Sequence, residues 1–232
     1  MKNKFILGLL FVLPIATYLI FASAKHNALF LPILFEYQQD MPQDWKTVSG
    51  ESVQLKDKIT ILGFTGFDIE KNKGNLFNLN QKIYNKYVGF KDFQVVMVAP
   101  KGTENDIAAI FEKLKTVSED LSGWKVVFAE PETIADYYKT LNLLGNLGED
   151  FGTPSVVIID KNINLRGRKG KNKLGEEEYK DSYNTISAAE LHNDMTDDVK
   201  ILLREYRLAL KKNEARKDAF RDKIKENVEK NK

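Results

Sequence analysis

The chain has 232 residues, 43% of them hydrophobic, and a formal net charge of +2 from 35 basic and 33 acidic side chains. This length accommodates one ordinary domain with accessory segments, and the balanced charge argues against nucleic acid as a partner. Cysteine is absent, which excludes disulfides, thiolate metal ligands, cysteine nucleophiles and dithiol redox chemistry in this chain. The two histidines, His26 and His192, are too few for a metal site built from several imidazoles.

The N-terminus carries an apolar segment long enough to cross a bilayer. Phe5 to Ala24 contains no charged residue, and about twenty residues match a hydrocarbon core of roughly 30 Å. Lys2 and Lys4 precede it, which predicts a cytoplasmic N-terminus. A cleaved signal peptide is the alternative, since Ala22-Ser23-Ala24 offers a small-x-small site. We predict a transmembrane signal anchor in residues 1–27, giving a single-pass protein of the cytoplasmic membrane whose C-terminal domain is extracytoplasmic, in the periplasm.

Three further regions follow the apolar segment. Residues 28–50 contain two prolines and no helical period, so we predict a tether that packs partly on the domain. Residues 51–211 are predicted to form the domain, with a short strand at Ser52–Leu55. Residues 212–232 are mostly charged, which predicts a solvated, helical C-terminal tail.

Within the domain, apolar strands alternate with amphipathic helices. The strands are predicted at Ile59–Phe64, Phe93–Ala99, Trp124–Ala129 and Ser155–Ile159, and the helices at Leu76–Val88, Ile107–Val117 and Pro131–Leu141. Asp160-Lys161-Asn162 then forms a turn into Ile163–Arg168, which predicts a hairpin. The charged segment Lys169–Tyr183 is predicted to be a loop. Ser187 and Glu190 predict a capping box at the start of the last helix.

This order of elements predicts an α/β sandwich with a central mixed sheet and helices on both faces. It resembles the thioredoxin-like fold. Thr153-Pro154 strengthens the resemblance, because thioredoxin-like proteins share a cis-proline immediately before the corresponding strand. We therefore expect a cis bond before Pro154, with Phe67 facing it. A trans bond, or a large separation between the two residues, would overturn the kinship and the role inferred from it.

Residues Gly63-Phe64-Thr65-Gly66 resemble the strand end of the Sco family, which comprises membrane-anchored copper chaperones and thiol reductants of cytochrome oxidase assembly. In that family Gly-Phe-Thr leads into Cys-Pro-x-x-Cys-Pro. The resemblance covers roughly residues 50–211 and places Phe67 and Lys71 at the two cysteine positions. The family's copper-binding histidine falls near Thr153 and Pro154. Copper(I) prefers soft donors and thiol exchange needs a thiolate, so neither chemistry carries over to these positions.

The remaining function predicted for this vacated active site is binding. We predict that it contacts a protein partner of the envelope, as a scaffold or assembly factor, with no catalytic residue, metal or cofactor. The predicted contact residues are Thr65, Gly66, Phe67, Asp68, Lys71, Thr153 and Pro154.

Three alternatives remain open. The first is an enzyme that uses Asp68 or Glu70 as acid or base, although acids near a helix start usually complement its dipole. The second is a glutathione-type ligand held at the backbone of Pro154, and the third is a structural tether whose charged tail is the working part. A pocket converging on Thr65, Asp68 and Pro154 would favour an enzyme or a small ligand, and a flat or apolar surface would favour protein binding.

Overall fold

The computed structural model describes residues 10, 12–18, 30–36, 38–172 and 174–211. Several features of the sequence analysis lie outside the described residues. They are Lys2 and Lys4, most of the apolar segment, the small-x-small site and the charged tail. Residues 12–18 are helical. Within the described ranges, no helix combines the length and the apolar character that a membrane crossing requires.

A mixed sheet of seven strands forms the centre of the domain, and two further strands form a separate hairpin. The strands are β1 (Ile33–Phe35), β2 (Ile59–Thr65), β3 (Phe93–Pro100), β4 (Trp124–Ala129), β5 (Gly152–Ile159), β6 (Leu165–Arg166), β7 (Arg168–Lys171), β8 (Glu177–Lys180) and β9 (Tyr183–Asn184). The sheet order is β1-β6-β5-β2-β3-β4, with β9 also paired to β5. Strands β2, β3 and β4 run parallel, whereas β5 is antiparallel to β2. The predicted mixed sheet is confirmed.

Helices cover both faces of this sheet. They are α1 (Ile69–Leu79), which continues through a π-helical turn (Asn80–Tyr84) into Asn85–Tyr87, α2 (Glu104–Lys115), α3 (Pro131–Thr140) and α4 (Ala188–Glu190). A second π-helical turn, Leu191–Met195, joins α4 to helical residues 196–211, and we call residues 188–211 the C-terminal helix. Helices α1, α2 and the C-terminal helix pack on one core, and α3 packs on the other.

Side-chain caps explain where two of these helices begin. Oδ1 of Asp68 accepts from the amide of Lys71 at 3.1 Å, so α1 starts at Ile69, seven residues before the predicted helix start. Oγ of Ser187 accepts from the amide of Glu190 at 3.2 Å, as the capping box predicts. The carboxylate of Glu190 accepts from the amide of Asn184 instead of returning to Ser187.

The predicted loop over Lys169–Tyr183 is wrong, because this segment forms the β7–β8 hairpin followed by β9. The hairpin forms without an apolar period because polar contacts stabilise it. Oδ1 of Asn172 accepts from the amides of Leu174 and Glu176 at 2.9 and 3.0 Å, which stabilises the turn. The predicted strand at Ser52–Leu55 is also wrong: Ser52 forms only an isolated bridge with Lys46, since the Thr47–Gly50 turn brings these two residues together.

The predicted cis bond before Pro154 is wrong as well, since every described peptide bond is trans. The ladder between β2 and β5 pairs Gly63 with Val156 but Phe64 with Thr153, so Pro154 and Ser155 form a bulge. A bulged residue needs no ladder hydrogen bond, and the missing amide hydrogen of proline costs nothing there. The strand bends at this bulge. The peptide bond before Pro154 has the trans state that X-Pro sequences prefer.

Candidate functional site

The turn that follows β2 is fixed by hydrogen bonds on both sides. We call residues 65–71 the vacated turn and residues 151–154 the proline segment. Oγ1 of the buried Thr65 donates to the carbonyl oxygens of Gly66 and Val98, at 3.2 and 3.4 Å. The amide of Phe67 donates to the carbonyl oxygen of Asp150 at 3.0 Å. The vacated turn and the approach to the proline segment therefore hold each other in place.

Two glycines allow this close approach. Gly66 has φ +68°, a left-handed conformation that glycine adopts without strain. A Cβ atom added to it would lie 2.6 Å from Oδ2 of Asp150. A Cβ atom added to Gly152 would lie 2.8 Å from Cα of Gly66. A larger side chain at either position would separate the two segments.

Phe67 is the exposed apolar residue of the vacated turn. Its side chain is 46% exposed, and its ring meets the ring of Phe151 edge-on, with centroids 6.2 Å apart. Lys71 is also exposed and makes no ion pair with another described residue. Thr153 is half-buried and Pro154 is exposed, whereas Thr65 and Gly66 are buried, so only some of the predicted residues reach the surface.

The two acids of the vacated turn serve helix α1. Asp68 is its N-cap through the amide of Lys71. Glu70 forms an ion pair with Lys73, and the hydrogen bond from Lys73 lowers the pKa of Glu70. A general acid at neutral pH needs a raised pKa, so this shift has the wrong sign for that role. The lowered pKa thus gives no support to Glu70 as a general acid.

A small cavity lies behind the turn. It has a volume of about 20 Å³, enough for roughly one water molecule. Its polar lining residues are Thr65, Asn72, Asn75, Thr153 and Thr185, and its remaining walls are apolar. Asp68 and Pro154 do not line it, so the pocket that would favour an enzyme or a glutathione-type ligand is not formed by these residues.

The backbone beside Pro154 is already occupied by another part of the chain. The carbonyl oxygen of Pro154 accepts from the amide and the hydroxyl of Thr185, at 2.9 and 2.6 Å. Ser155 pairs with Asn184 of β9, and Nδ2 of Asn78 donates to the carbonyl oxygen of Thr185 at 3.0 Å. An extended ligand would have to displace β9 to reach this main-chain edge.

Sequence reasoning missed the residues that complete the site. Phe151, Gly152 and Thr185 were not predicted to contribute, and Phe151 adopts φ +61° although it is not glycine. No local pattern marks Phe151 or Thr185. Gly152 precedes the predicted Thr153-Pro154 pair directly, so the glycine before this motif was the one available signal.

No family model and no curated protein matches the chain. Among solved structures it is similar to a SCO1/SenC family lipoprotein from Bacillus anthracis str. Ames, with a TM-score of 0.54 and 18% identity over 75% of this chain and 99% of that chain. It is also similar to BsSco, a member of the Sco family of cytochrome c oxidase assembly proteins, with a TM-score of 0.49 and 14% identity over 74% and 95% of the two chains. Copper-bound ScoI from Arabidopsis thaliana gives a TM-score of 0.44 and 15% identity over 70% and 98%.

The first of these likenesses establishes the fold. The chain has a thioredoxin-like α/β fold, and the predicted resemblance to the Sco branch is confirmed at the level of the fold. The trans bond before Pro154 does not meet the expectation of a cis-proline. The strand order and the likeness to the SCO1/SenC family lipoprotein support the fold independently of that bond. Fold alone does not define activity, so function must be argued from the residues of the site.

Proposed function

We propose that this protein binds another protein of the cell envelope through the vacated turn and performs neither thiol exchange nor copper transfer there. One observation carries the proposal: an exposed phenylalanine, Phe67, sits on a turn whose backbone is held by Thr65 and Asp150. The site is thus built to present an aromatic ring. The proposal extends to an N-terminal segment that holds the domain at the membrane.

The proposed absence of thiol exchange and copper transfer rests on the side chains at the site. Phe67 and Lys71 stand where the Sco motif has cysteines, and Thr153 and Pro154 stand near the place of its histidine. A benzene ring, an ammonium group, a hydroxyl and a pyrrolidine ring provide no soft donor for copper(I) and no thiolate for exchange. The resemblance to Sco proteins therefore supports a shared shape without their reaction.

The geometry favours protein binding over other uses of the turn. Aromatic residues are common among the few side chains that dominate binding energy at interfaces. A turn that is already fixed loses little conformational entropy when a partner binds. The small volume of the adjacent cavity and the occupied backbone at Pro154 leave a surface for docking instead of a pocket for a metabolite.

The membrane part of the proposal rests on the apolar segment Phe5 to Ala24. Its described helical residues, 12–18, expose apolar side chains in all directions, and Val12, Leu13, Ile15 and Tyr18 are each at least 57% exposed. Such an apolar surface requires an apolar environment. The interior of a bilayer would provide this environment, and a signal anchor inserted in it would place the domain outside the cytoplasm.

Site-specific photocrosslinking tests the binding proposal. A photoreactive phenylalanine analogue is placed at Phe67 in the full-length protein in native membranes. Tyr179 is a matched control, because it is an aromatic residue of similar exposure, 42%, on β8. We expect a light-dependent adduct with a discrete partner from position 67 and none from position 179.

The same partner must then depend on the ring. Phe67→Ala should reduce recovery of the partner at least about tenfold, as expected for a side chain that dominates an interface. Its thermal unfolding midpoint should stay unchanged, and Tyr179→Ala should recover the partner normally. Equal adducts from both positions, or undiminished recovery with Phe67→Ala, would reject the proposal.

A further inference from the structure

We propose that the C-terminal helix docks on an anionic phospholipid surface through Lys200, Arg204, Arg207 and Lys211, which we call the basic face. The membrane in question is the one that holds the N-terminal segment, so this inference rests on the anchoring part of the proposed function. Docking would fix the orientation of the domain relative to the bilayer.

The four cations share one side of the helix. Their spacing of four, three and four residues places them along a single face. All four are exposed, and within the described residues none of them forms an ion pair. The guanidinium of Arg207 instead lies over the ring of Phe90, 5.7 Å from its centroid. The basic face therefore has positive charge that the described part of the domain does not neutralise.

An apolar groove runs beside the basic face. Tyr87, Phe90, Leu203 and Leu208 line it together with the four cations, and its volume is about 320 Å³. Leu208 and the neighbouring Leu210 are 45% and 57% exposed. Cations that flank exposed leucines suit the boundary between phosphate head groups and acyl chains, where charge and apolar area contribute together.

The C-terminal helix lies close to the point where the chain enters the domain, through Glu205, which is outside the groove. Nη2 of the buried Arg166 is 2.5 Å from the carbonyl oxygen of Leu31 and 2.5 Å from Oε2 of Glu205. One guanidinium thus joins the start of the domain to the C-terminal helix. If Phe5 to Ala24 spans the bilayer, the six residues 25–30 reach at most about 20 Å. The last turns of the helix then lie near the same bilayer surface.

Four of the five acids of the C-terminal helix are paired with other cations, Glu190 and Asp194 with Lys180, Asp198 with Arg168 and Glu205 with Arg166, whereas Asp197 lies at the Lys200 end of the basic face. Asp197 is the exposed acid closest along the helix to Lys200, and its charge helps to raise the pKa of Tyr87 to about 12, after the larger effect of burial. An acidic protein could also meet the basic face, but the adjoining leucines and the short link to the N-terminal segment favour lipid.

A single fluorescent label tests the docking, because the chain contains no cysteine. Leu208→Cys carries an environment-sensitive fluorophore at a residue that lines the groove, and Glu132→Cys carries it on α3, which packs on the opposite core. Each full-length protein is reconstituted into vesicles of phosphatidylcholine with or without phosphatidylglycerol. Quenching by a spin label attached to the lipid reports contact with the bilayer.

We expect the label at position 208 to be quenched in vesicles that contain phosphatidylglycerol, and the label at position 132 to remain in water. Neutralising the basic face should abolish the quenching at position 208, with roughly a fivefold loss of surface affinity for each charge removed. The neutralised variant combines Arg204→Gln, Arg207→Gln and Lys211→Gln. A control with the same change in net charge combines Lys46→Gln, Lys101→Gln and Lys139→Gln, and it should behave like the parent protein.

The outcomes separate docking from anchoring. A protein that stays with the vesicles after salt and alkali washes, while position 208 remains in water with both lipids, overturns docking and leaves anchoring intact. Equal quenching in neutral and anionic vesicles also overturns it. Failure of neutral vesicles to retain the protein would overturn anchoring. In that case, binding to anionic vesicles with quenching at position 208 would still support docking. No binding to anionic vesicles would overturn docking as well. Protection of position 208 only by a co-purified acidic protein would reject lipid as the occupant.

Discussion

Gly66 and Gly152 are in direct backbone contact where β2 ends and β5 begins. A Cβ atom on Gly152 would lie 2.8 Å from both Cα and N of Gly66 and 2.8 Å from the carbonyl oxygen of Thr65. Neither segment can carry a side chain at this contact without moving. The presentation of Phe67, the next residue after Gly66, therefore depends on a position far away in the sequence.

Gly152→Ala should destabilise the protein. The atoms that its methyl group would meet belong to the backbone, which cannot turn aside as a flexible side chain can. Overpacking of this kind costs about 1–3 kcal/mol. Chemical denaturation measures the change in the free energy of unfolding, and crosslinking at Phe67 should weaken in parallel. An unchanged free energy of unfolding would show that the two segments separate without cost.

Gly74→Ala should have the opposite effect and serves as the matched glycine substitution. Gly74 lies inside α1, is exposed, and has no atom within 4 Å of an added Cβ. Alanine loses less conformational entropy than glycine in a helix, so we expect a gain of about 0.5–1 kcal/mol. The same denaturation experiment measures it. Destabilisation here would mean that the exposed face of α1 is not free in the folded protein.

Arg166→Met should be strongly destabilising. The buried guanidinium donates to Oδ2 of Asp160 at 2.9 Å, to Glu205 and to the carbonyl oxygen of Leu31. Removing it leaves acids without their cation in a buried site, which typically costs about 3–5 kcal/mol. Lys139→Met is the control, because it breaks the exposed pair with Asp136, and such pairs contribute roughly 0–1 kcal/mol. Similar losses from both variants would contradict the role assigned to burial.

Asp92 should titrate below its ordinary range. The hydrogen bond from Lys161 is the main cause that lowers the pKa of Asp92, and partial burial opposes it. Because the pKa is depressed in the folded state, this contribution to stability is present above the unfolded pKa of about 3.9 and is lost as the pH falls through the folded value.

Carbon-13 NMR of the carboxyl group measures this titration. Lys161→Met should raise the midpoint of Asp92 towards its ordinary value. The pKa of Asp120, which is lowered by the amide of Ser122, should not move and controls for global effects. A midpoint of Asp92 that does not respond to Lys161→Met would refute the assigned cause.

Continuous apolar runs made several elements predictable. β4 begins and ends at the predicted residues Trp124 and Ala129, and β3 extends the prediction by one residue. β3 is buried at every position and β4 at four of its six, so their sequences are apolar except at Gln94 and Lys125. The first half of α1 was missed because it is polar and contains Gly74, and only the cap at Asp68 marks its start.

The candidate site was predictable in part. The absence of cysteine and the Gly-Phe-Thr-Gly strand end could be read directly, and the structure places Phe67 beside the proline segment. The aromatic partner Phe151 and the hydrogen bonds from Thr185 to Pro154 could not be read, because they join residues that are distant in sequence. The bulge at Pro154 also depends on the register of β5 against β2.

The sequence by itself determined the alternation of strands and helices and the absence of any thiolate, because these depend on local periodicity and on composition. Tertiary structure decided which charges meet. The β7–β8 hairpin forms without an apolar period, since Arg168 contacts Glu178, Asp194 and Asp198 across three segments. Arg166 likewise joins Leu31 to Glu205. Such contacts arise only when the fold brings distant residues together, and they place the C-terminal helix beside the entrance of the domain.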